Sequence, residues 1–120
     1  MADGDEYREF ATKAVHSGMI EVNGSATTPI FRTSTYKLTD EKYQGWAEGL
    51  HHTVVYSRIS SINSEVVSAK LAAMEGAEDA EVFSSGMAAI STTLMTFLSK
   101  GDHIVATNDC YGGTYGLLTE

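Results

Sequence analysis

Apolar positions recur at helical spacing in only part of this chain. From Asn63 onward Val66, Val67, Leu71 and Met74 follow a helical period that ends at Gly76, with Asn63 or Ser64 placed to cap the helix and Glu65 in its first turn. Residues 80–83 read as a short strand, and 86–98 as an apolar helix through Met87, Ile90, Leu94, Met95 and Leu98, ended by Lys100-Gly101. Residues 103–107 read as a second strand, followed by a turn at Asn108-Asp109. A strand, helix, strand succession predicts one right-handed parallel βαβ unit, and so an α/β fold. The chain stops at Glu120 inside the opening turn of a further helix. That reads as a truncation, because a two-strand sheet open on both faces does not make a complete domain.

The first half has a different texture. Residues 5–16 fit a short helix through Tyr7, Phe10, Ala11 and Ala14, stopped by Gly18. Residues 24–36, rich in Thr around the only proline, Pro29, predict extended chain. An irregular stretch of this length does not fold by itself. The predicted organisation is an N-terminal arm with a short helix over 1–60, then the start of a larger domain over 61–120.

Composition narrows the function classes. The 120 residues hold 8 Lys+Arg against 16 Asp+Glu, a formal charge of −8, which argues against binding nucleic acid by neutralising phosphates. Hydrophobic residues at 42% and charged residues at 20% fit a globular mixture, so disorder and coiled coil fit poorly. The single cysteine, Cys110, can form no internal disulfide, and no Cys/His cluster has zinc spacing. The start, Met1-Ala2-Asp3-Gly4-Asp5-Glu6, lacks the basic and apolar regions of a signal peptide, and no apolar run approaches the roughly 18 residues of a spanning helix. The expectation is a soluble cytoplasmic protein with no membrane partner.

Three segments carry candidate chemistry. In Val82-Phe83-Ser84-Ser85-Gly86-Met87 a strand runs through small residues into a helix, whose first N–H groups and dipole suit an anion. Neither a Walker pattern nor G-x-G-x-x-G is present. Asp109-Cys110-Tyr111-Gly112-Gly113 follows the second strand at the same predicted sheet edge, and a tyrosine before two glycines can present its ring to a planar ligand. Tyr56-Ser57-Arg58 offers a forked phosphate donor beside a hydroxyl. Each also has a structural reading: a strand-to-helix junction, a glycine turn with a packed aromatic, and a solvated arginine. Cys110 reads as packed. The pair His51-His52 reads as exposed, His16 and His103 as structural, and Trp46 with Tyr43 as an arm or interface anchor.

Taken in order, six segments resemble the N-terminal part of the pyridoxal-phosphate enzymes of cysteine and methionine metabolism, the family of the cystathionine γ-lyases and γ-synthases. They are Thr12-Lys13-Ala14-Val15-His16-Ser17-Gly18, Pro29-Ile30-Phe31-Arg32-Thr33-Ser34-Thr35-Tyr36, Tyr56-Ser57-Arg58, Lys70-Leu71-Ala72-Ala73-Met74-Glu75-Gly76, Ser84-Ser85-Gly86-Met87-Ala88-Ala89 and Tyr111-Gly112-Gly113-Thr114. The resemblance implies the start of a fold-type I (aspartate aminotransferase-like) large domain preceded by an extended arm. It implies pyridoxal 5'-phosphate as cofactor, held by the backbone amides of Gly86 and Met87 and stacked on Tyr111, which also serves as a proton shuttle. Tyr56 and Arg58 are implied to reach the phosphate of a neighbouring subunit, in a homotetramer with shared sites.

The chemistry so implied is elimination or replacement at the β or γ carbon of a sulfur-containing or O-acylated amino acid. The family's Schiff-base lysine lies downstream, and none of Lys13, Lys37, Lys42, Lys70 or Lys100 sits in its motif, so the 120-residue chain is expected to be inactive alone. After the arginine the family's Asn-Pro-Thr turn is replaced by Ser61-Ile62-Asn63. Position 113 is glycine, where methionine γ-lyases carry cysteine. A cystathionine γ-lyase or γ-synthase parent is the leading expectation. The alternatives are an O-acetylhomoserine sulfhydrylase or methionine γ-lyase parent, or a non-catalytic remnant that assembles with full-length subunits.

Overall fold

The computed structural model describes residues 9–49 and 53–119. Five helices follow in order: α1 (Phe10–His16), α2 (Asp40–Ala47), α3 (Ile62–Glu75), α4 (Gly86–Phe97) and α5 (Gly112–Thr119). The chain divides into two compact units, one up to Glu81 and one from Val82. Among the described residues no helix is long and apolar enough to cross a membrane.

In the first unit α1 packs on α3. The helix predicted over 5–16 is present as α1; its first four predicted residues, Tyr7 among them, lie outside the described residues, as does the pair His51-His52. The Lys70 ammonium donates to the carbonyls of Ala14 and Val15 and so caps the end of α1 from the side of α3. Gly18 turns the chain out of α1 with φ of 64°, and a Cβ there would collide with that of Ala69. This is why the chain can leave α1 so close to α3.

The extended reading of residues 24–36 holds, since no helix forms there. Two devices anchor it. The Asn63 side chain accepts from Phe31 N at 2.8 Å and donates to Pro29 O at 3.0 Å. An antiparallel bridge pairs Thr35 with Tyr56, through Tyr36 N to Val55 O at 3.2 Å and Ser57 N to Ser34 O at 2.8 Å.

The cap of α3 is Ser61, whose hydroxyl accepts from Ser64 N at 3.1 Å, in place of the expected Asn63 or Ser64. Asn63 instead serves the extended segment, at Phe31 N and Pro29 O. Gly76 closes the helix in the left-handed conformation. The buried residues of α3, Val66, Ser68 and Ala72, are small, and no large side chain is fully buried among the described residues.

The second unit holds α4 and α5, which pack together. Helix α4 matches its predicted span to within a residue. The two expected strands, and with them the paired βαβ unit, are not formed: residues 80–83 and 103–107 are extended, and the only strand-type pairing among the described residues is the bridge in the first unit. Propensity alone does not make a strand; a neighbouring backbone must supply the ladder. Val105, central to the second segment, is 100% exposed.

Candidate functional site

The start of α4 is built by Ser85. Its backbone is extended, its hydroxyl accepts from Ala88 N at 3.1 Å, and its carbonyl accepts from Ala89 N at 3.1 Å. The first two amides of the helix, those of Gly86 and Met87, therefore have no partner among the described residues. No acidic side chain occupies the first turn, and a Cβ on Gly86 would meet nothing within 4 Å. The result is a pair of open donors at the positive end of a 12-residue helix.

Tyr111 stands immediately before α5, and its carbonyl accepts from Tyr115 N at 3.0 Å. Its side chain is 72% exposed, and one edge of the ring borders Gly113. A Cβ built on Gly113 would lie 2.7 Å from Tyr111 Cε1 and 3.3 Å from Met87 Sδ, so ring and sulfur converge over the bare Cα of Gly113. The Thr114 hydroxyl donates to Met87 Sδ at 3.5 Å. Met87 thus carries one of the open amides of α4 and brings its sulfur to Gly113 and Thr114 of α5. Cys110, beside it, is a partly buried free thiol.

Tyr56 and Arg58 belong to the first unit. The Tyr56 carbonyl accepts from Ile59 N at 2.9 Å and Ser60 N at 3.0 Å, a tight turn that folds Arg58 back. The guanidinium carbon lies 5.1 Å from the Tyr56 ring centroid, a cation–π contact. Both residues are exposed, and the guanidinium holds no carboxylate among the described residues.

Of the expected site residues, Gly86, Met87 and Tyr111 come together in the second unit, and Tyr56 and Arg58 in the first. The Met87 side chain and Thr114 were not singled out by sequence, because their contact spans 27 residues and has no local signature. Tyr43 and Trp46 do meet, with ring centroids 6.1 Å apart. Among the described residues no group of three His, Cys, Asp or Glu is placed to hold a metal.

Comparison with known proteins gives this geometry its context. The sequence profile of the family described as Cys/Met metabolism PLP-dependent enzyme matches residues 11–120. An L-methionine gamma-lyase of Porphyromonas gingivalis is 42% identical over 113 residues, which are 92% of this chain and 28% of that protein. A probable cystathionine gamma-synthase of Herpetosiphon aurantiacus is 42% identical over 91% of this chain and 32% of its own length. The crystal structure of metB from Corynebacterium glutamicum superposes with a TM-score of 0.79 at 34% identity, covering 98% of this chain and 29% of that one. The large-domain α/β fold of that enzyme is therefore the fold to which these helices belong. The chain spans less than a third of the length of these relatives. With its profile match running from the second residue of α1 to the final residue, the chain belongs to the Cys/Met metabolism family of enzymes that depend on pyridoxal 5'-phosphate.

Proposed function

We propose that this chain forms the phosphate- and ring-binding portion of a cytoplasmic enzyme that acts at the β or γ carbon of sulfur-containing or O-acylated amino acids, of the cystathionine γ-lyase or γ-synthase type. The observation that carries the reading is that two amides without a partner among the described residues, those of Gly86 and Met87, share one unit with the exposed ring of Tyr111. The donor set fits the cofactor: two open N–H groups at a helix start suit a phosphate ester, and an exposed ring suits a planar pyridine. Once bound, pyridoxal 5'-phosphate supplies the electron sink for carbanion chemistry.

The chain's own residues supply binding, orientation and proton handling. Gly86 and Met87 donate N–H groups to the phosphate, while Ser85 satisfies the next two amides and keeps the helix start in register. Tyr111 covers one face of the pyridine, and its Oη exchanges a proton with the reacting amino acid. Tyr56 and Arg58, preassembled by their own contact, reach the phosphate of a neighbouring subunit in a homotetramer. The relatives at 42% identity include both a methionine γ-lyase and a cystathionine γ-synthase, so the reading names a substrate class and not one substrate.

The test is titration of the 120-residue chain with pyridoxal 5'-phosphate, read by phosphorus NMR and by cofactor absorption. Saturable binding that Tyr111→Ala weakens is expected. No binding, or binding that ignores Tyr111→Ala, overturns the reading.

A further inference from the structure

Met87 has two separable parts. Its backbone N–H is one of the two open donors at the start of α4, and any residue except proline would supply it. Its side chain does something the backbone cannot: the sulfur accepts from Thr114 Oγ1 at 3.5 Å and lies 3.3 Å from where a Cβ of Gly113 would stand. The Tyr111 ring borders the same space, with Cε1 at 2.7 Å and Cδ1 at 3.2 Å from that point. Sulfur at a ring edge is a favourable contact, worth more than its area. Tyr111 is otherwise largely free, so without this seat its ring would sample several staggered rotamers.

We infer that the Met87 side chain, with Thr114 and the bare Cα of Gly113, is a positioning device that fixes the Tyr111 ring relative to the phosphate donors. The inference rests on the proposed cofactor site and adds a coupling within it. Phosphate and ring are read by one residue, so the spacing between them is set by Met87 and not by two independent loops. Thr114 orients the sulfur, and Gly113 leaves the space that lets ring and sulfur approach.

The first experiment needs no ligand. In the unliganded 120-residue chain, cross-relaxation between Tyr111 ring protons and both the Met87 methyl and the Gly113 α protons is expected, and its absence overturns the inference. The second measures pyridoxal 5'-phosphate binding and the circular dichroism induced in the cofactor band. Met87→Ala and Gly113→Ala should each weaken binding by roughly fivefold and change the induced band, the scale of one lost aromatic contact. Both keep the Gly86 and residue 87 amides, so the amide shifts caused by inorganic phosphate should persist. Thr114→Val should act in the same direction and Thr114→Ser should restore the native values. If Tyr111→Ala weakens binding while Met87→Ala and Gly113→Ala leave affinity and induced band unchanged, the positioning role is wrong and the site stands. If Tyr111→Ala itself has no effect, the ring assignment under the proposed function is what fails.

Discussion

Asn63 and Phe31 lie 32 residues apart and are joined at 2.8 Å, with the same carboxamide donating to Pro29 two residues earlier. One side chain at the start of α3 thereby satisfies both a backbone donor and a backbone acceptor of the extended segment. Asn63→Ala should lower unfolding stability by about 2 kcal/mol, the scale of two partly buried hydrogen bonds. Urea denaturation would show it as a lower midpoint at an unchanged slope.

Gly18 combines a positive φ with a close approach to Ala69. Replacing it by alanine adds backbone strain and a steric collision between α1 and α3 together, for a loss of about 2 to 3 kcal/mol. Thermal unfolding of Gly18→Ala, compared with Gly24→Ala where the same φ region meets open space, separates the collision from the strain.

The cap at Ser61 makes a more modest claim. Ser61→Ala removes the acceptor for Ser64 N and should cost about 1 kcal/mol, whereas Ser61→Asp should lie close to the native value. Calorimetry on the three chains tests the order.

Shared sites make a prediction that single variants cannot. If Arg58 serves the neighbouring subunit's phosphate, Arg58→Ala and Tyr111→Ala chains should each bind pyridoxal 5'-phosphate poorly. Mixed and reassembled, they should regain part of the binding, because one site of each hybrid pair then has both residues intact. No recovery after mixing places Arg58 and Tyr111 in the same subunit's site or removes Arg58 from it.

Val105 is fully exposed, so Val105→Asp in the 120-residue chain should change stability by less than about 0.5 kcal/mol. A cost of several kcal/mol on a denaturation curve would mean that the segment is covered in solution.

Helices α3 and α4 were legible because their signals are local: an apolar period in each and, for α3, the glycine that closes it. The open amides of Gly86 and Met87 were legible for a related reason, since a helix start exposes its amides wherever it forms. What sequence did not show were relations across distance. Asn63 was a plausible cap by its neighbours, and only the approach of residues 29–31 gave it other partners. The segments at 80–83 and 103–107 have strand composition, but a ladder is a property of two backbones and not of one. The Met87 sulfur is hidden for the same reason: a methionine on an apolar helix reads as core until its partner on α5 is known.

The bridge between Thr35 and Tyr56 closes a chain excursion at its base. Helix α2 stands within that excursion and packs on no other helix among the described residues. The Tyr56 turn is therefore held by the bridge at the neck of the loop, which α2 touches through Lys42, its Nζ 5.8 Å from the Tyr36 ring centroid. Lengthening such a loop costs only about 0.6 kcal/mol per doubling in closure entropy. The stretch around α2 is thus a place where insertions, grafted binding segments or reporter tags can accumulate without displacing the arginine two residues beyond the bridge.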